Sequence, residues 1–345
     1  MKISGYTTTR NSIEMNYSFV ECIKSMLDFC DEVIVADSTD SDLTQEVLEK
    51  LMEQHDKLHV VHVDVDYSAP NHAIWDGKMK AIARAQCTGD YLVQMDSDEV
   101  FPFGVRNKLE NLINKTLEAN PELPLIALPV VEYWGSTGKV RVDINPWKWR
   151  VSKNLPDLTH GIPMHLRKWE KVDGYDEELL FALPGTDSCD YIWKSTGKVA
   201  PCGNFMTSEV EQIRRHALAG SSESLALYEQ WFNKCAEELP TVYHFSWWSP
   251  AWKIQNYKKF WNAFWKSMYN DHSKPKDWNP FFEQPLNTVD NEQILLYSEI
   301  LEKYTGGHIF HEKWNFKETP SIKIKQPMPP IINSWLETLP VHKKK

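Results

Sequence analysis

The segment Gly89 to Phe101, GDYLVQMDSDEVF, gathers three carboxylates within four positions, Asp96, Asp98 and Glu99, directly after an apolar run. Such a run reads as a buried strand. Residues two apart at its end face one side, so Asp96 and Asp98 can converge on one cation. Hard divalent ions take carboxylate oxygens together with substrate phosphates and keep several waters. The alternative is a solvated turn or a helix start, because DEVFPFGVRNKLENLINK turns helical soon afterwards. Thr7 to Asn11 and Asp37 to Asp40 are two more polar clusters that follow apolar runs in the same way.

The elements that must position these clusters alternate along the first part of the chain. KISGY is a short strand, and YSFVECIKSMLDFC places Phe19, Cys22, Ile23, Met26, Leu27 and Cys30 at helical spacing. EVIVAD is a continuous apolar strand. A helix near Leu43 to Gln54, the strand LHVVHV, a helix near Trp75 to Gln86 and the strand DYLVQM follow. This repetition implies a parallel sheet with right-handed crossovers. Ligands of such sheets gather at the carboxyl ends of the strands, which predicts that the three polar clusters form one site. Beyond Pro121, LIALPVVEYW and GKVRVDINPWKWRV suggest a mixed sheet, and from Ser208 the chain turns helical. The proline-rich tail from Pro320 is expected to be extended, lying on the surface or frayed.

Composition narrows the function. The chain has 345 residues, 42% hydrophobic and 25% charged, in the ordinary globular range. A net charge of −10 disfavours binding to nucleic-acid backbones, which needs clustered Lys and Arg. Its six cysteines, Cys22, Cys30, Cys87, Cys189, Cys202 and Cys235, show no zinc-type spacing and read as reduced thiols. Neither an apolar leader nor a membrane-spanning run is visible, so the cytoplasm is the expected location. WKIQNYKKFWNAFWKSMY carries Trp252, Phe260, Trp261, Phe264, Trp265 and Met268 near one helical stripe, interleaved with Lys253, Lys258, Lys259 and Lys266. That helix either packs on the α/β domain or lies on the inner face of an anionic membrane.

Four stretches in order, ISGYTTTRN, EVIVADSTDSDLT, TGDYLVQMDSDEV and VDGYDEELLFALPGTDSCDYIWKSTGKV, give the sequence its resemblance to the inverting, metal-dependent glycosyltransferases of family 2. The likeness covers roughly Lys2 to Ala200. It implies a GT-A fold of the α/β class: a Rossmann-like, mostly parallel sheet flanked by helices, with a helical C-terminal extension. The implied division is a catalytic domain over 1–205, with a nucleotide-sugar half about 1–120 and an acceptor half about 121–205. An aromatic-rich helical extension over 206–319 and the tail 320–345 would follow.

The resemblance also implies roles. Thr7, Arg10, Asp37, Lys78 and Asp96 would contact the nucleotide diphosphate sugar, with Asp37 accepting from base or ribose. Asp98 would bind Mn²⁺ or Mg²⁺ directly, with Asp96 on the ribose or on the metal through water. His244, after a short strand, would be a third ligand or a structural histidine. Lys78, Lys80 and Arg84 have helical spacing; one would point at the phosphates and the other two would be solvated. Asp187 would be the general base that deprotonates a hydroxyl of a glycan or glycolipid acceptor. Here the sequence departs from the family: Thr186-Asp187 stands where Glu-Asp is usual, so Asp190 competes for the role, and Asp187 could instead cap a helix. Two rival readings are a noncatalytic carbohydrate-binding protein on a transferase scaffold and a sugar-nucleotide nucleotidyltransferase. The second lacks its usual glycine-rich loop, since GYTTTRN carries one Gly.

Overall fold

The computed structural model describes residues 1–65, 75–133, 138–142, 146–161, 190–246, 248 and 320–339, with Trp75 and Asp190 described by their backbone alone. The first half alternates as its pattern predicts: β1 (Ile3–Thr9), α1 (Phe19–Phe29), β2 (Glu32–Asp37), α2 (Thr44–Gln54), β3 (Leu58–His62), α3 (Trp75–Gln86) and β4 (Tyr91–Gln94). Next come β5 (Glu99–Val100), α4 (Arg106–Ile113), β6 (Leu125–Glu132), β7 (Lys139–Arg141), β8 (Trp147–Lys153), β9 (Leu158–Gly161), β10 (Asp190–Trp193) and β11 (Cys202–Gly203). The described chain ends with α5 (Ser208–Leu218), α6 (Ser222–Glu238), β12 (Val242–His244), β13 (Ser321–Lys323) and a short helix, Asn333–Thr338.

The central sheet has the order β3-β2-β1-β4-β8-β6-β12-β5, with β11 also paired to β6. Strands β3, β2, β1 and β4 are mutually parallel, β8 is antiparallel to β4 and β6, and β12 is parallel to β6 and antiparallel to β5. The architecture is therefore α/β with a mostly parallel sheet flanked by helices. Alternation within the continuous apolar strands explains why both faces are covered. Val33 and Val35 of β2 meet Ile23, Met26 and Leu48 on one face. Ile34 and Ala36 meet Met79 and Ala83 of α3 on the other. Helix α1 lies close over β1 because Gly5 has no side chain: a Cβ there would sit 2.9 Å from Cys30 Sγ and 3.0 Å from Met26 Sδ.

Three features differ from the sequence expectation. The carboxylate cluster runs into β5 before α4 begins, because Glu99 and Val100 pair with His244 and Tyr243. Strand β12, from the segment expected to be a helical extension packed on the catalytic domain, is inserted into the sheet between β6 and β5. Over its described residues, 320–339, the tail is neither frayed nor wholly extended. Its β13 pairs with β7, and Ile322, Ile332 and Trp335 are buried in a cluster with Tyr133, Phe232, Tyr243 and Phe245. Polar ends fasten it to α1 and the loop before it: Ser334 Oγ donates to Glu21 Oε1 at 2.7 Å and Trp335 Nε1 to the Asn16 carbonyl at 3.2 Å. Apolar side chains at Ile322, Ile332 and Trp335 outweigh the prolines between them, since burial of each is favourable by about 1.5–3 kcal/mol.

Candidate active site

The carboxyl ends of β1, β2 and β3 bring Thr9, Asp37 and His62 together. Asp37 is 1% exposed, and its Oδ1 accepts from Thr9 Oγ1 at 2.6 Å and Thr39 Oγ1 at 2.7 Å. His62 Nδ1 lies 3.2 Å from the other oxygen, and its side chain is 37% exposed. Asp37, expected to accept from a nucleotide, is held in place by these protein groups on both oxygens. Thr7 is fully buried within β1. Arg10 sits at the rim, where its guanidinium is 3.4 Å from Asp40, and Asn11 Nδ2 donates to the same carboxylate at 2.6 Å. Asn11 has φ of 45°, a left-handed turn that asparagine tolerates, so the loop bends there toward Asp40.

Beside this wall, past the end of β4, lies a dense set of charges. Asp96 Oδ1 is 2.9 Å from Lys80 Nζ and accepts from Gln94 Nε2 at 3.0 Å, while Oδ2 is 2.7 Å from Arg150. Burial would push the Asp96 carboxyl up, but Arg150, Lys80 and Lys148 together hold it well below the usual carboxylate range. Each Asp96 oxygen is thus oriented by a neighbouring donor. Glu99, fully buried, lies 2.6 Å from Arg150 and 3.2 Å from Lys148. Burial opposes the charge on Lys148, and Glu99 and Glu132 more than offset it, leaving its pKa raised.

Asp98 and His244 form the other half. His244 Nε2 is 3.1 Å from Asp98 Oδ1, and His244 Nδ1 is hydrogen-bonded to the Glu132 carboxylate. The Phe245 amide donates to the Asp98 carbonyl at 3.0 Å, tying the acidic loop to β12. Burial would depress the imidazole pKa, but Glu132 and Asp98 push it up to about 9. An oxygen and an imidazole nitrogen facing each other suit a divalent ion, and a second carboxylate on the remote ring nitrogen is the common support of a ligating histidine. Among the described residues no three His, Cys, Asp or Glu side chains gather at ligand geometry. The pair fits a cation whose remaining positions come from phosphate oxygens and water.

The structure thus brings Asp96, Asp98 and His244 into one neighbourhood, with Arg10 and Asp37 at the adjoining strand ends and Thr7 inside β1. Lys78 is half-buried on α3, one residue before Met79 of the core. The expectation that two of Lys78, Lys80 and Arg84 are solvated is corrected. Lys80 and Arg84 are 7% and 4% exposed, because their i, i+4 spacing puts both on the face of α3 that meets the sheet. Lys80 reaches Asp96, whereas Arg84 donates to the Leu158 and Lys153 carbonyls and to Ser152 Oγ. Asp187 and the aromatic stripe from Trp252 to Met268 lie outside the described residues, as does the Asp190 side chain.

Glu132, Lys148 and Arg150 escaped the sequence reading. Glu132 ends the run LIALPVVE as Asp37 ends EVIVAD, and that shared form is a signal. Lys148 and Arg150 are two apart between tryptophans in WKWR, hence on one face of β8.

No curated protein matches the chain. Among solved structures, S. aureus TarS in complex with UDP-GlcNAc is 14% identical, covers 90% of this chain and 82% of its own, and has a TM-score of 0.35. A mannosyltransferase from Pyrobaculum calidifontis, in complex with GDP-Man and Mn²⁺, is 19% identical over 44% of each chain with a TM-score of 0.30. Glucosyl-3-phosphoglycerate synthase from Mycobacterium tuberculosis is 18% identical over 44% of this chain and 57% of that one, with a TM-score of 0.29. Within this chain, residues 9–133 match the family model described as Glycosyl transferase family 2. That segment, which carries Asp37, Asp96, Asp98 and Glu132, is thus similar to glycosyl transferase family 2 domains.

Proposed function

We propose that the protein is a metal-dependent glycosyltransferase that moves one sugar from a nucleotide diphosphate sugar to a hydroxyl of a glycan or lipid-linked acceptor, with inversion. The reading rests above all on the facing Asp98–His244 pair, 3.1 Å apart at the carboxyl ends of the strands, next to the Asp96 and Glu99 carboxylates that Lys80, Lys148 and Arg150 neutralise. Asp98 and His244 would hold Mn²⁺ or Mg²⁺. A divalent ion bound there neutralises charge developing on the departing diphosphate. Lys80 and Arg150 keep Asp96 ionised and fixed, so that it can orient the ribose. Thr9 and Thr39, with His62, are ordered by Asp37 and make the wall against which the nucleoside would lie; Thr7, Arg10 and Lys78 flank that wall. Asp187 would take the acceptor proton on the side opposite the leaving group, the geometry that single displacement demands.

A thermal-shift panel tests the assignment, because a ligand that binds only the folded state must raise its stability. UDP, GDP and CDP sugars are added with and without Mn²⁺ to the unmodified protein and to Asp98→Asn. The expected result is a shift for one base that needs Mn²⁺ and disappears in the variant. No shift with any donor, or the same Mn²⁺-dependent shift in Asp98→Asn, would overturn the site. Binding without any transfer to an acceptor would favour a carbohydrate-binding protein on the same scaffold.

A further inference from the structure

Strand pairing directs Glu132 at His244. In the parallel pair of β6 and β12, His244 is in register with Glu132, and in the antiparallel pair of β12 and β5 it is in register with Glu99. Two buried carboxylates therefore flank one imidazole, but they serve different partners. Glu99 is taken up by Arg150 at 2.6 Å and Lys148 at 3.2 Å. Glu132, 4% exposed, is directed to His244 Nδ1, with Lys148 Nζ farther away at 3.6 Å. A carboxylate this deeply buried needs a charged or hydrogen-bonding partner, and the nearest is the imidazole.

An imidazole ligates a metal through a nitrogen that carries no proton, so the hydrogen of the neutral ring must sit on the other nitrogen. Nε2 faces Asp98, which leaves Nδ1 as the required proton site, and Nδ1 is where Glu132 accepts. We propose that Glu132 is a positioning residue: it holds the Nδ1–H tautomer of His244 and fixes the ring plane, so that Nε2 presents its lone pair to the cation shared with Asp98. This inference rests on the metal reading above and assigns Glu132 to the support of the ligand, outside the set of groups touching substrate or metal. Lys148 completes the arrangement by neutralising Glu99 and Glu132 together from one side.

The test measures Mn²⁺ alone, through loss of the aqueous-ion electron paramagnetic resonance signal, and nitrogen modulation of the bound ion in pulsed spectra. The proteins compared are the unmodified chain, Glu132→Gln, Glu132→Ala, Val131→Ala, Asp98→Asn and His244→Ala. Removal of a supporting carboxylate typically weakens metal binding about 10–100-fold, the loss expected of Glu132→Ala. Its ¹⁴N modulation should also fall as the ring loses its fixed orientation. Glu132→Gln, whose amide oxygen still accepts from Nδ1–H, should fall between. Val131→Ala removes buried volume from the same strand on its other face and should lower the melting temperature without changing Mn²⁺ affinity. If Glu132→Gln and Glu132→Ala bind Mn²⁺ as the unmodified protein does while Asp98→Asn does not, the role of Glu132 is overturned and the metal site stands. Should Asp98→Asn and His244→Ala both bind normally, or the unmodified protein bind none, the metal site itself falls.

Discussion

At the scale of single residues, the site separates two kinds of carboxylate. Asp96 and Glu99 are ion-paired with Lys80, Lys148 and Arg150, and Asp98 faces an imidazole whose Nε2 can present a lone pair to a cation. D-x-D spacing alone does not distinguish these fates, because the segment leaves the strand and turns, with the Glu99 amide donating to the Asp96 carbonyl at 3.0 Å. What separates them is the neighbour on the next strand, arginine for Asp96 and histidine for Asp98. The proposed base belongs to the same scale. Asp187→Asn should leave donor binding nearly unchanged and slow transfer by about 10²–10⁴-fold, the usual contribution of positioned proton transfer. Steady-state kinetics on Asp187→Asn and Asp190→Asn separate the two candidates: normal transfer by the first with an inactive second would move the base to Asp190.

At the scale of elements, the site depends on a segment far away in sequence. Phe245 bonds through its amide to the Asp98 carbonyl, and its ring meets Trp335 edge-on at 6.1 Å. Trp335 is 8% exposed and is carried by the short helix at the end of the tail. Trp335→Ala should therefore lower stability by about 3–5 kcal/mol, the range for emptying a large aromatic site, as read from urea denaturation. It should also weaken Mn²⁺-dependent nucleotide binding in conditions where the protein is still folded, because β12 loses its backing. Trp335→Phe should restore most of the affinity. Equal affinity in Trp335→Ala and the unmodified protein would show that the tail stabilises the fold without supporting the loop. The tail's course was not legible from its prolines. The apolar residues between them, Ile322, Ile332 and Trp335, match a surface that exists only after β7, α6 and β12 have assembled.

At the scale of the whole molecule, the amino end of the sheet is held by a half-buried acid at the start of β2. Glu32 Oε1 accepts from Ser4 Oγ at 2.5 Å and from the Thr88 amide at 2.6 Å, joining β1, β2 and the loop before β4. Burial would raise the Glu32 carboxyl, but Ser4 and Thr88 bring it down to about 2 from 4.5. A depressed carboxylate adds stability above its unfolded pKa and loses that stability as pH falls toward its folded value. Glu32→Gln should thus destabilise the protein at pH 7 by roughly 1.5–3 kcal/mol, the range for hydrogen bonds to a charged group. That difference should shrink between pH 4.5 and 2, measured as paired melting curves; a constant difference across that window would refute the account. Among the described residues no helix is long and apolar enough to cross a membrane.

The sequence by itself determined the alternating elements from Ile3 to Gln94, because each strand is an apolar run and each helix a periodic one, and short-range pattern is sufficient to specify both. It also determined that carboxylates cluster where strands β2 and β4 stop. Tertiary structure alone decided which of them are neutralised and which face a histidine. That outcome depends on β8 lying beside β4 and on β12 entering between β6 and β5, pairings that join Asp96 to Arg150 across 54 residues and Asp98 to His244 across 146. No local periodicity encodes such a register. It follows from packing the apolar faces of all the strands at once, and the charges at their ends take the partners that this packing supplies.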